Sequence, residues 1–512
     1  MSSWGSGYVT DIEYTEGFYP GQTPAYMSLA ATLAGFEAPP FDGHFTYCEL
    51  GCGRGRTSLV LAAVNPEAVF HAIDFNPSHI ARAREEASRA RLGNIAFHEL
   101  GFEELTGPRG AELPMFDVVT MHGVWTWIAP ELQQAIVAFL NARLRPGGLA
   151  YLSYNALPGC LQVAPLQRLL WELAAVLPQR SDLVVPRALE QIQRFSKVNI
   201  LPERLRVALE HFGGRGESLA YLAHEYLIEH WRPVYFSDVA RALAPAKLTH
   251  VACSELIKNF YNLAFTEEQR KVIAEIPLPE LKETLKDFCA DNSFRRDVFV
   301  RGARHLTEQR LSRLLAGLTL ALIRPAPEEF EIGLPGESRW RPDPRVYSVI
   351  FKALGERPRS VAEMLSLAGL PREHQVGPVE LVGLLVGANI AGLYQKPTPA
   401  QSACADRLNA LLEAEPEIPL DRGAVIATPA ARTGITLSAA AYALYRALRH
   451  GEAPDANELA RQFIKRCRDG GTHPVVDGKA IPDAAEAERA VTRDYEIKIE
   501  RTVPIWRALG MV

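Results

Sequence analysis

The sequence predicts an α/β sheet domain followed by mostly helical domains, one of them winged-helix-like. Three observations carry this. Apolar strand-like runs alternate with amphipathic helical stretches from residue 44 to residue 154. A glycine-rich turn closes the first of those runs. After Pro158-Gly159 the strand signals thin out and helical spacing takes over. Repeated strand–helix units imply a parallel sheet with helices on both faces.

The elements follow in order. Residues 44–50 form a strand candidate and 57–64 a helix. Residues 68–73 form a second strand. Ser78 is a plausible N-cap for a helix through Arg91, with charges along its solvent face. Residues 95–100 and 116–121 are the third and fourth strands. A helix over 130–144 spaces Leu132, Ile136, Phe139 and Leu140 along one face. Pro146-Gly147-Gly148 is expected to stop it, and 149–154 is the fifth strand.

Beyond this sheet, residues 161–212 read as helical and are candidates for a homodimer interface. Residues 217–305 also read as mostly helical, broken at Trp231-Arg232-Pro233 and Ile276-Pro277-Leu278-Pro279. A Pro-, Gly- and Glu-rich linker follows at 325–344, with one short strand at 330–332. Residues 345–397 read as three short helices and a hairpin-like end at 389–395, the order of a winged helix. Residues 400–512 are Ala-rich and mostly helical. The expected units are therefore 1–160, 161–216, 217–324, 325–399 and 400–512. This division suits a chain of 512 residues, since domains run to about 100–200 residues each.

Composition narrows the function classes. Hydrophobic residues make up 47% and charged residues 22%, ordinary for a globular protein. The formal net charge is −5, which gives no electrostatic case for a dedicated nucleic-acid binder. In the winged-helix-like stretch, acids dilute Arg345, Lys352, Arg357, Arg359 and Arg372, which favours protein contact over nucleic acid. The seven cysteines (Cys48, Cys52, Cys160, Cys253, Cys289, Cys404 and Cys467) show no CxxC pair and suggest a reducing compartment. The N-terminus lacks the basic start and apolar run of a secretory signal. The charge-free apolar stretch 381–394 holds 14 residues, short of the ~18 a membrane span needs. The expected location is cytoplasmic.

The sharpest signal is Tyr47-Cys48-Glu49-Leu50-Gly51-Cys52-Gly53-Arg54-Gly55. Glycines let the backbone approach a ligand where a side chain would clash, and the next helix presents its N-terminus to it. Dinucleotide folds place G-x-G-x-x-G here. In this chain the third glycine comes one residue early and Arg56 stands in its place. Glu49 would oppose a pyrophosphate but suits a cationic amino group.

This stretch resembles motif I of the Rossmann-like class I methyltransferases, which bind S-adenosyl-L-methionine. The resemblance implies that Glu49, Gly51, Cys52 and Gly53 hold the methionine moiety. Asp74, in Ala72-Ile73-Asp74-Phe75-Asn76, lies 21 residues after Gly53. The resemblance gives Asp74 the ribose hydroxyls, with Phe75 beside it, and sets the adenine against Gly101 and Phe102. Many family members carry Asp where this chain has Phe102, so backbone contacts or stacking would replace that side-chain contact. His122, Gly123 and Val124, after the fourth strand, complete the cofactor set.

The acceptor belongs beyond the carboxyl ends of the strands. Methyl transfer is an in-line displacement at a sulfonium methyl, so the protein must align the nucleophile and relay a proton from an amine. Two strand ends are rich in polar and aromatic groups: Met121–Trp127 and Ser153–Gly159. Asn155 and Tyr154 are the first candidates for positioning the acceptor. Trp125 and Trp127 would wall its pocket, or equally pack beneath a loop. The N-terminal aromatics Tyr8, Tyr14, Phe18, Tyr19 and Tyr26, interleaved with Asp11, Glu13 and Glu16, suit either a lid or a cover over the sheet edge.

Residues 221–239 are dense in chemistry: His224, Glu225, Tyr226, Glu229, His230 and Trp231. The two histidines are six apart, unlike the H-E-x-x-H of a zinc helix, so no metal is expected. With the strand ends above and Phe294–Gly302, this segment looks like the bacterial methyltransferases that carry a methyltransferase regulatory domain. The rickettsial outer-membrane-protein lysine methyltransferases share the layout. The resemblance covers about residues 8–310 well and the rest loosely. It implies protein-lysine methylation, with the Glu225–Tyr226 region, and Tyr226 in particular, facing the catalytic cleft. About 350 residues beyond the sheet domain suit a macromolecular acceptor. Two alternatives stay open: a biosynthetic small-molecule methyltransferase, and a non-catalytic S-adenosylmethionine sensor.

Overall fold

The computed structural model describes residues 7–12, 17–177, 180–212, 219–333, 339–371, 373, 376–414, 420 and 423–512. Glu13, Tyr14, Glu16 and Arg372, singled out above, lie outside them.

The centre is a seven-stranded sheet in the order β3-β2-β1-β4-β5-β7-β6. Its strands are β1 (Thr46–Leu50), β2 (Val69–Asp74), β3 (Ile95–Glu99), β4 (Phe116–Met121), β5 (Leu144–Asn155), β6 (Leu248–Cys253) and β7 (Phe294–Arg301). The first five are parallel, and β7 runs antiparallel to both β5 and β6. The α/β sheet is as the sequence predicts, but β6 and β7 come from the 217–305 stretch read as mostly helical. β6 is a short run of six residues, and β7 opens on charges (Phe294-Arg295-Arg296-Asp297). Pairing makes them strands: β7 adds to β5, and β6 adds to β7.

Alternation along the strands fixes the two faces. Tyr47, Val118, Leu149 and Tyr151 enter one core with the helix Pro24–Leu33 and the C-terminal region. Cys48, Val119, Ala150, Leu152 and Tyr154 enter the other, under the helices Pro130–Arg143 and Phe236–Leu243.

Three local expectations are corrected. The helix Pro77–Arg89 is capped by Asn76, not Ser78. Asn76 Oδ1 accepts from Ser78 N at 3.0 Å, and Pro77 takes the first helical position, which needs no N–H. The turn Pro146-Gly147-Gly148 does not precede the fifth strand. It lies within β5, where the pairing with β4 shifts register between Phe116 and Val118. The end of the winged-helix-like stretch is not a hairpin, because Ala391–Leu393 pairs with β8 (Thr319–Leu322) from before the linker. The three helices Pro344–Glu356, Val361–Leu365 and Pro378–Gly387 are present. On that module Arg345, Arg357 and Arg359 pair with Asp343, Glu363 and Glu356. Among the described residues no helix is long and apolar enough to cross a membrane.

Candidate active site

The glycine turn sits at the carboxyl end of β1. Gly51, Gly53 and Gly55 all hold positive φ, at 70°, 54° and 75°. The turn is laced to the neighbouring strand. Gly51 N and Cys52 N donate to Ile73 O at 2.8 and 3.0 Å, and Gly53 N donates to Asp74 Oδ2 at 2.8 Å. Asp74 Oδ1 accepts from Asn76 N at 2.9 Å and faces His79 Nδ1 at 3.5 Å. Asp74 therefore shapes the turn as well as presenting a carboxylate.

Glu49 is buried beneath the turn. Its carboxylate accepts from Gln22 Nε2 at 3.1 Å and from Ser58 Oγ. Burial pushes its pKa up to about 7, although these hydrogen bonds pull it back. A cation beside it would restore the charged form.

One cavity gathers all eleven residues marked for the cofactor: Glu49, Gly51, Cys52, Gly53, Asp74, Phe75, Gly101, Phe102, His122, Gly123 and Val124. Val124 packs where a Gly51 side chain would otherwise stand. Tyr8 and Tyr19 close the cavity from the N-terminal segment. That segment is strapped down by Asp11, which accepts from Ser181 N and Oγ at 2.8 and 2.7 Å.

His122 marks the inner wall. Tyr19 stacks on it at 3.7 Å, and its Nδ1 lies 2.8 Å from the Tyr151 hydroxyl. Burial, with the nearby Arg296 charge, lowers its pKa to about 3. The ring is neutral and too weak a base to collect a proton at neutral pH.

The acceptor candidates separate. Asn155 ends β5 and donates from Nδ2 to Glu225 Oε1 at 3.1 Å. Tyr154, one residue earlier, points to the opposite face. Its hydroxyl donates to Asp297 Oδ2 at 2.6 Å inside a buried ionic cluster with Arg295. Tyr154 is thus structural and not an acceptor contact. Trp125 is buried in the core below the helix Pro130–Arg143, and it is Trp127 that lines the cavity. Tyr226 packs on Phe212 at 4.6 Å and near Trp231 at 6.1 Å. It does not line the cofactor cavity. The adjacent Glu225 is the member of that pair tied to Asn155. Gln22, Ser58 and Tyr151 support the site without any local motif to announce them.

A second cavity of about 870 Å³ adjoins the first and shares Tyr19 and His122 with it. Charged groups of β7, the helix Pro279–Ala290 and the segment after β6 line it, and Gly333 and Val386 close part of its far wall.

Comparison with known proteins agrees with this geometry. Residues 48–150 match the model of a methyltransferase domain, and residues 218–301 match a predicted methyltransferase regulatory domain. The uncharacterized protein sll1526 of Synechocystis sp. is 34% identical over 371 residues, covering 71% of each chain. This chain belongs to the class I S-adenosylmethionine-dependent methyltransferases with a regulatory domain. An uncharacterized protein of Rickettsia prowazekii, RP789, is 26% identical over 57% of this chain and 53% of its own length. The structure of PKMT2 from Rickettsia typhi in complex with AdoHcy superposes with a TM-score of 0.64, at 17% identity, over 97% of this chain and 99% of that one. That likeness is one of fold.

S-adenosylmethionine is the cofactor of this methyltransferase, and the cavity suits it. No atom lies within 4 Å of where a Gly53 Cβ would stand, so the turn leaves open space against the ligand. The carboxylates of Glu49 and Asp74 suit an α-ammonium and a pair of ribose hydroxyls. The half-buried ring of Phe102 suits an adenine face.

Proposed function

We propose that this methyltransferase transfers methyl groups to lysine side chains of a protein. The second cavity carries the reading. A pocket for a small ligand is mostly apolar, with a few placed polar groups. This cavity, though apolar over most of its lining, also carries charged side chains, among them Glu255, Lys258, Glu283, Lys286, Arg295 and Arg296. It meets the cofactor cavity at the Tyr19–His122 wall. A cleft with that many charged groups beside the methyl donor suits a polypeptide segment better than a free metabolite. Residues from the C-terminal half form part of its wall, which gives that half a part in holding the acceptor.

In this reading Glu49, Gly51, Cys52 and Gly53 hold the methionine part of the cofactor. Asp74 takes the ribose hydroxyls with Phe75 beside it. Gly101, Phe102 and Val124 enclose the adenine, and His122 with Gly123 closes the inner wall. Asn155 works on the acceptor side.

The test incubates the purified enzyme with methyl-labelled S-adenosylmethionine and size-fractionated cell extract. Label in protein, found as methyl-lysine by mass spectrometry, is expected. Asp74→Ala should abolish it together with AdoHcy binding. Label confined to the small-molecule fraction would overturn the protein reading.

A further inference from the structure

The helix Pro279–Ala290 ends against the second cavity with its charges arranged unfavourably. Asp287 and Asp291 both line that cavity. Asp287 sits in the last turn, and Asp291 caps the helix in the left-handed conformation, at φ 45° and ψ 47°. No basic residue lies in that turn. The carbonyl end of a helix carries partial negative charge and favours a cation. Here two carboxylates stand where cations belong.

Their partners do not cancel them. Asp287 is 2% exposed. Its Oδ1 accepts from Arg295 Nη1 at 2.8 Å and from Asn292 Nδ2 at 3.1 Å. Its Oδ2 is buried with no hydrogen-bond partner, a costly state for an acceptor. Arg295 divides its charge with Asp297, which Nε reaches at 2.7 Å. Burial raises the Asp287 carboxyl against the pull of Arg295, and a further cation alongside favours its charged form. Asp291 is exposed and, among the described residues, its side chain makes no ion pair or hydrogen bond.

The other cations of the cavity are engaged elsewhere. Arg296 pairs with Glu255, and Lys286 with Glu283. Lys258 Nζ lies 2.5 Å from Glu255 Oε2 and 3.2 Å from Asn292 Oδ1. None of the three forms an ion pair with either aspartate. Neither aspartate lines the cofactor cavity, so the group they hold is not the one that receives the methyl.

We infer that Asp287 and Asp291 form a subsite for a second basic side chain of the acceptor polypeptide, an arginine or lysine apart from the target lysine. This rests on the protein-acceptor reading above. The cation donates to Asp287 Oδ2, pairs with Asp291 and neutralises the helix end. Binding energy gathered there, away from the reacting nitrogen, holds the target lysine for transfer.

The test maps methyl label to individual lysines of extract proteins by mass spectrometry, with the wild type, Asp291→Asn and Asp291→Lys. Asparagine suits the left-handed backbone, so Asp291→Asn removes the charge without straining the cap. AdoHcy affinity should match the wild type in both variants. Wild-type sites should carry an arginine or lysine at a preferred separation more often than unmodified lysines of the same proteins. At limiting acceptor, Asp291→Asn should lower transfer to those sites about fivefold, the upper reach of an exposed ion pair. Asp291→Lys should lower it further and abolish the preference. A wild type with no basic preference, or variants that keep it undiminished, would overturn the subsite and leave protein methylation standing. Label confined to small molecules would overturn the protein reading, and the subsite with it.

Discussion

The rings of Tyr19 and His122 stack with centroids 3.7 Å apart and planes 20° from parallel, and this pair divides the two cavities. The stack uses the tyrosine ring and not its hydroxyl. Tyr19→Phe should therefore keep AdoHcy affinity within about twofold. Tyr19→Ala should weaken it about tenfold, in line with the ~0.5–1.5 kcal/mol of an aromatic pair. Calorimetry with AdoHcy reads both variants. Equal losses would assign the effect to the hydroxyl.

Cofactor affinity should rise with pH through about 7. The Glu49 carboxyl titrates near there because burial raises it from its ordinary range. In the cofactor-free enzyme this raised pKa favours the protonated form, so its contribution to stability is full below the ordinary carboxyl range and fades as pH climbs through about 7. The α-ammonium of the cofactor stays cationic over that interval and attracts the carboxylate form. AdoHcy should bind more tightly at pH 8 than at pH 6, by at most about tenfold per pH unit. Glu49→Gln should flatten the dependence. A wild-type affinity that falls with rising pH would contradict this assignment.

The glycines of the turn should fail differently. A Cβ at Gly55 would stand 2.4 Å from the Phe97 ring, at φ 75°. Gly55→Ala should therefore lower the melting temperature even without ligand. A Cβ at Gly53 meets nothing within 4 Å, so Gly53→Ala should cost only the ~1–2 kcal/mol of a left-handed residue. Its main effect should be on AdoHcy binding, because the open space belongs to the ligand. Thermal melts with and without AdoHcy separate the two.

Tyr154→Phe should affect stability and spare catalysis. It removes the hydrogen bond to Asp297 in a cluster where burial pushes the Asp297 carboxyl up but Arg295 and His250 together hold it well below its usual range. Losing a bond to a buried charge costs about 1.5–3 kcal/mol. Chemical denaturation should show that loss while KM and kcat stay near wild type. A large fall in kcat at unchanged stability would return Tyr154 to the acceptor site.

The cofactor half of the site was legible because it is local. Glu49 through Gly55 is one turn, and Asp74 and Gly101 each follow the next strand end in order. Parallel strand–helix units bring such ends together whatever the rest of the chain does. The acceptor half was legible only in part. Asn155 and Tyr154 are neighbours of similar polarity, and pattern alone does not say which faces the cavity. Strand pleat and the pairing of β5 with β7 put Tyr154 in the core and turn Asn155 toward Glu225. The same holds for Trp125 and Trp127, which a short helical turn sends to different places.

The sequence by itself determined the sheet domain and its glycine turn, since these follow from short-range spacing and backbone freedom, and the family resemblance carried by that turn implied the cofactor. Tertiary structure alone decided which of the strand-end residues meet distant parts of the chain. Two segments read as helical close the sheet as β6 and β7, and Glu225 meets Asn155 across 70 residues of chain. Tyr19 meets His122 from the far end of the domain. Such contacts depend on which faces the packed core leaves exposed, and no local pattern encodes them.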